Sequence, residues 1–204
     1  YIATSSYQWK DNGDTGFDTP QQVWDACYIA IASANQALQA IKELGTPSDA
    51  LPYKGEALMC RAYGHFILAN TFCQPYSREE AGSLMGIPYI LAPETEVGVN
   101  YDRGTLAQVY EQMNKDIEEA LPLISDGAYS VPLYHFNQRA AYAFAAQFNL
   151  YYGNYEKAVT YATQAIGENP SASLRDLSNY SQYTKPDEWT VAFLKSTQTC
   201  NIML

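Results

Sequence analysis

Two histidines, His65 and His135, are the only imidazoles in the chain. Neither lies in His-Glu-x-x-His, which would set two ring nitrogens on one helix face for zinc. No Gly-x-Ser-x-Gly turn offers a serine nucleophile. Carboxylates are plentiful, notably Glu79-Glu80, Glu94, Glu96 and Glu118-Glu119. Glycoside hydrolysis needs two carboxyl groups facing each other across a sugar at roughly 5–10 Å, and the sequence shows no such convergence. Asp11, Asn12, Asp14 and Asp18 offer the hard oxygen ligands that calcium takes. Gly13 and Thr15, however, stand where a calcium-loop pattern wants Asp or Asn. A polar turn is the simpler reading, so no cofactor is expected; calcium at this turn is the alternative. Cys27, Cys60, Cys73 and Cys200 form no Cys-x-x-Cys pair, and Cys27 and Cys60 read as small core residues.

Aromatic side chains are the sharper signal: 18 Tyr, 3 Trp and 7 Phe. Sugars present C–H faces that pack on aromatic rings, and a few polar groups then fix their hydroxyls. Tyr28, Tyr63, Tyr110, Tyr142, Tyr155 and Tyr161 fall on expected helices and read as packing residues. The ligand candidates are the aromatics expected off the helices. Trp9 is first among them, because Gln8, Lys10, Asp11 and Asn12 give a core no reason to hold it. Tyr7, Tyr76, Tyr101 and Trp189 join it, ahead of Tyr89, Tyr129, Tyr134, Tyr180 and Tyr183.

The elements that position these residues are helices. Thr19-Pro-Gln-Gln22 caps and starts one, whose stripe Trp24, Cys27, Tyr28, Ile31, Leu38 and Ile41 ends at Gly45 and Pro47. A second begins near Ser48 or Pro52 and runs to Gln74-Pro75. Residues 74–103, rich in Pro and Gly, form a long irregular connection of the kind that often carries function. A third helix opens at the capping box Thr105-Leu-Ala-Gln108; Asp116, Glu118 and Glu119 are expected to face water. The alanine-rich stretch from Asn137 to Tyr152, the break Gly153-Asn154 and the helix from Tyr155 to Ile166 fit the 34-residue tetratricopeptide pattern. Tyr142 takes its large position, Ala146, Ala158 and Ala165 its small ones, and Pro170 its terminator; Asn149 departs from it. Asn35, between Ile31 and Leu38, reads as an interhelical hydrogen-bonding residue, and Glu56 and Arg61 as interhelical ion-pair or hydrogen-bond formers.

The fold expected is all-α, built of tetratricopeptide-like antiparallel helix pairs with long irregular loops. Its parts are a polar segment over 1–18, a helical domain over 19–170 and the loop-rich start of a second lobe over 171–204. A net charge of −10 argues against nucleic acid, whose binding rests on neutralising phosphates with cations. No apolar run of 18 residues or more spans a membrane. The start at Tyr1 and the apolar run ending at Leu204 read as a piece of a longer chain.

Three stretches together resemble the SusD/RagB family of outer-membrane nutrient-binding lipoproteins. They are Lys54-Gly-Glu-Ala-Leu-Met-Cys-Arg-Ala-Tyr-Gly-His-Phe66, then Arg103-Gly-Thr-Leu-Ala-Gln-Val-Tyr110 with Asp116-Ile-Glu-Glu-Ala-Leu-Pro122, then Arg139-Ala-Ala141 leading to Leu150-Tyr-Tyr-Gly-Asn-Tyr-Glu-Lys-Ala158. His65 departs from the family's usual aromatic. The resemblance implies a non-catalytic protein, lipid-anchored to the outer face of the outer membrane through a Cys upstream of Tyr1. It would bind an oligosaccharide or peptide and hand it to a SusC-like TonB-dependent transporter. The alternatives are a tetratricopeptide adaptor binding a protein segment and a glycoside hydrolase fragment.

Overall fold

The structure, a computed structural model, describes residues 2–10, 19–195, 198 and 200–201. The acidic turn proposed as a calcium ligand set (Asp11, Asn12, Asp14, Asp18) lies outside the described residues, as do residues 202–204 of the apolar C-terminal run. The described residues form seven α-helices and no strand. They are α1 (Ile2–Tyr7), α2 (Pro20–Glu43), α3 (Leu51–Phe72), α4 (Leu106–Ala120), α5 (Gln138–Tyr151), α6 (Tyr155–Ile166) and α7 (Pro186–Phe193). The chain divides into two compact units, Tyr1–Ala120 and Leu121–Leu204, so the helices expected over 19–170 fall in both.

Helix ends follow the local chemistry. Thr19 accepts from the Gln22 amide at 3.1 Å and Pro20 occupies the first turn of α2, satisfying one of the amides a helix start leaves free. At the other end Gly45 has φ 79°, the Gly45 amide donates to Lys42 O and that of Thr46 to Ile41 O. This left-handed turn is one glycine adopts without steric cost. The capping box of α4 closes in both directions: the Gln108 amide donates to Thr105 Oγ1 at 3.2 Å, and the Thr105 amide to Gln108 Oε1 at 2.9 Å. Asn137 caps α5 through the Ala140 amide.

In the first unit α2 and α4 both pack on α3. A helix covered on two sides cannot keep a single apolar stripe. Accordingly α3 buries Gly55, Ala57, Leu58, Met59, Ala62, Gly64, Phe66, Leu68 and Ala69 around much of its circumference. Small residues set the spacing. A Cβ added at Gly64 would lie 2.8 Å from Ile31 Cγ1 on α2. Ile31, Met59, Leu68, Leu106, Met113 and Ile117 are fully buried, and each contributes about 1.5–3 kcal/mol of hydrophobic stabilisation.

In the second unit α5 packs on α6 across the turn at Gly153, whose φ is 74°. Ala140, Ala141, Ala145 and Ala165 are buried, while Ala146 and Ala158 are half-buried. Asn149 is fully buried. Its Nδ2 donates back to Ala145 O, and its Oδ1 finds no partner. Past α6 the chain forms a small aromatic cluster in which Arg175 lies 3.6 Å above the Phe193 ring and donates to Tyr180 Oη and Phe193 O.

Candidate functional site

The irregular connection between α3 and α4 is fastened to the helices by side chains. Tyr28 Oη donates to Pro88 O at 2.8 Å, and Asn35 Nδ2 to Ile90 O at 2.9 Å. The Ile90 amide donates to His65 Nε2 at 3.1 Å. Both polar groups of the Ile90 peptide thus end on side chains of α2 and α3. With no neighbouring strand to pair with, a part-buried backbone must find such partners.

Beneath this segment lies an ionic network. Arg61 on α3 forms a two-pronged pair with Asp116 on α4, with Nε and Nη2 each 2.7 Å from a carboxylate oxygen. Arg61 Nη1 donates to Asn35 Oδ1 at 3.0 Å and Leu91 O at 3.3 Å, and Tyr89 Oη donates to Asp116 Oδ2 at 2.7 Å. Asn35 therefore holds the interhelical place read from sequence. Asp116 does not face water as expected; it is 3% exposed. Burial alone would lower the Arg61 guanidinium's pKa, but the hydrogen bonds and charge of Asp116 outweigh it and leave it raised. Burial, then the Asp116 charge, pushes the Tyr89 hydroxyl well up. His65 is fully buried and stacks on Tyr89 at 3.7 Å. Its Nδ1 lies 2.8 Å from Arg61 O and must carry the proton, because Nε2 accepts from Ile90. Burial lowers its pKa to about 3, so it is a neutral structural residue.

On the solvent side, the fastened segment and α2 enclose a cleft of about 760 Å³ within the first unit. Trp24, Tyr28 and Tyr101 supply its rings, Asp25, Gln36 and Glu94 its polar groups, and Ile29, Ile31, Ala32, Pro88, Ile90, Ala92 and Pro93 its apolar floor. Trp24 is held edge-on against Phe72 at 5.1 Å and tilted against Tyr28 at 5.0 Å. Tyr101 lies within electrostatic reach of Glu94 and also walls a shallower neighbouring pocket lined by Asp102 and Arg103. The arrangement offers stacking faces and hydrogen-bonding groups to a polar, ring-bearing ligand.

Of the five residues singled out from sequence, Tyr101 lines this cleft. Tyr76 is half-buried against Tyr110, with ring centroids 4.4 Å apart. Tyr7 and Trp189 were expected off the helices but lie on α1 and α7. Trp189 packs against Phe193 at 4.5 Å and Tyr180 at 5.8 Å. Tyr7 and Trp9 are 86% and 97% exposed, Trp9 with a left-handed φ of 53° just after α1. Tyr129 and Tyr180 are buried. Asp25 and Gln36 were not singled out, Trp24 and Tyr28 were read as packing residues of α2, and Glu94 was named only among the plentiful carboxylates. A signal for part of this set exists: positions 25, 29, 32 and 36 form a second helical stripe beside the core stripe of α2. Tyr28 borders both stripes, so its core reading hid its outer edge.

Comparison with known proteins agrees with this fold. The sequence pattern of the SusD-like family, described as starch-binding and associating with the outer membrane, matches residues 2–150, and the chain belongs to this family. It is 28% identical over 178 residues to the SusD-like protein P38 of Formosa agariphila, covering 84% of this chain and 29% of that protein. A SusD superfamily protein of Bacteroides thetaiotaomicron superposes with a TM-score of 0.66 at 25% identity, over 83% of this chain and 40% of that one. A Bacteroides vulgatus protein described as a putative sugar binding protein superposes with a TM-score of 0.70 at 24% identity, over 97% of this chain and 42% of that one. The chain thus spans less than half the length of these relatives. Among the described residues no helix is long and apolar enough to cross a membrane.

Proposed function

We propose that this protein is a non-catalytic glycan-binding component of a bacterial outer-membrane nutrient uptake system. The cleft carries the reading: three aromatic rings with Asp25, Gln36 and Glu94 among them, on a floor fixed by part-buried hydrogen bonds. Family membership supports it, as does a laminarin binding SusD-like protein of the same fold, with a TM-score of 0.60. The finer parts of the proposal follow the family resemblance. The protein is anchored on the outer face of the outer membrane through an upstream lipid-modified Cys and hands its oligosaccharide to a SusC-like TonB-dependent transporter.

Affinity electrophoresis through gels containing soluble starch, laminarin or xylan tests binding. Tyr101 is exposed and lies on the connection rather than on a helix, so Tyr101→Ala probes the cleft without emptying the core. It is expected to weaken retention about tenfold, or ~1.4 kcal/mol. Trp9, Tyr7, Tyr76 and Trp189 remain proposed contacts outside the cleft lining. Unchanged migration of Trp9→Ala on every polymer that retains the parent protein removes Trp9. Turnover of a fluorogenic glycoside, abolished by Glu94→Gln, overturns the non-catalytic reading.

A further inference from the structure

The charged side chains that line the cleft are both acids, Asp25 and Glu94. Neither takes part in an ion pair among the described residues. Asp25 Oδ1 accepts from Gln21 Nε2 at 2.8 Å, and Glu94 lies within electrostatic reach of the Tyr101 hydroxyl. These neighbours are neutral and leave the charge of both carboxylates uncompensated. Arg103 lines the neighbouring pocket, not the cleft. Its Nε donates to Gly86 O at 2.8 Å, and its charge is felt at Cys73 and Tyr28.

A neutral sugar suits this wall, because hydroxyls donate well to carboxylates and charge-assisted hydrogen bonds are strong. Both carboxylates are solvent-exposed, but a uronate or sulfate stacked on the same rings would sit closer to them than the roughly 8 Å over which 0.15 M salt screens, and so would meet like charge directly. We propose that Asp25 and Glu94 make the cleft selective for glycans without acidic groups, so that uronate-bearing and sulfated chains are excluded at this site. The inference rests on the glycan-binding reading above and adds to it a substrate class and the two residues that set it.

The test compares the parent protein with the isosteric double variant Asp25→Asn/Glu94→Gln, which keeps one acceptor oxygen at each position and replaces the other with an amide donor. A control variant, Glu111→Gln/Glu168→Gln, removes the same charge from exposed positions outside the cleft. Binding of laminarin and maltodextrin oligosaccharides, and of oligogalacturonate and chondroitin sulfate oligosaccharides, is followed by calorimetry and tryptophan fluorescence. Salt is kept at about 0.15 M so that long-range repulsion from the net charge is screened. The expected result has three parts. The parent binds at least one neutral oligosaccharide and no acidic one. The cleft variant gains acidic binding by about tenfold or more, and the control does not. Equal gains in both variants would place the effect in net charge and overturn the proposal. Acidic oligosaccharides bound by the parent as tightly as neutral ones would overturn it while leaving glycan binding intact. Failure to bind any glycan of either class defeats both readings.

Discussion

Arg61 and Asp116 are opposite charges held out of water, so removing one leaves the other without compensation. Asp116→Ala is expected to cost about 3–5 kcal/mol in urea unfolding, and Arg61→Met/Asp116→Leu, which leaves no orphan charge, less than the single change. A single variant as stable as the parent would contradict the buried pair. The sequence hid Asp116 because charge was read as exposure. Its position three residues after Met113 and four before Ala120, both buried, belongs to the apolar stripe of α4. Asn35 was legible for the opposite reason: a buried amide has few roles besides hydrogen bonding. His65 yields a pH prediction. Its folded pKa of about 3 lies below the ordinary value of about 6.5, so the unfolded chain takes up the proton first. The stabilisation from keeping His65 neutral is complete above about pH 6.5 and declines as pH falls toward 3, by ~1.4 kcal/mol per pH unit at most. His65→Gln should flatten the stability profile between about pH 6.5 and 5, above the range where most carboxylates titrate; an unaltered slope there would show that His65 is not the group responsible.

Among the elements, α2 through α6 were legible because each carries its own start or stop signal: Thr19 and Gly45, Pro52 with Gln74-Pro75, Thr105 with Gln108, Asn137, and Gly153. Helix α1 is only six residues long and has no long stripe, and the polar residues around it read as turns. The contact between α2 and α3 was not legible, since it depends on a tertiary neighbour. Gly64 admits Ile31 because it has no side chain. Gly64→Ala should therefore destabilise the protein by about 1–3 kcal/mol through overpacking, although alanine is the better helix former by about 1 kcal/mol. The penalty should shrink in an Ile31→Ala background, where the space is vacant. A double-mutant cycle in denaturant measures that coupling, and strictly additive effects would show that the two residues do not limit the approach of the helices.

For the whole molecule, the cleft follows from how the long connection is held. Its wall combines α2 with residues from Pro88 to Tyr101, and contacts such as Tyr28 to Pro88 join positions 60 apart. Periodicity within one helix cannot report such a pairing. The wealth of Pro and Gly marked residues 74–103 as irregular and worth attention, but not which aromatics the segment would meet. The fastening has a functional consequence. Asn35 does not line the cleft, yet it holds Ile90 O and accepts from Arg61. Asn35→Leu fills similar space while releasing both bonds. The Ile90 amide of the parent, bound to His65, should exchange its hydrogen nearly as slowly as the interior of α3, and in Asn35→Leu markedly faster. If the fixed floor is what positions Glu94 and Tyr101 for a sugar, the same variant weakens glycan binding severalfold with its helical content unchanged, because ordering the segment then falls on the binding step. Faster exchange at Ile90 with full affinity would separate the fastening from recognition and leave it a purely structural feature of the fold.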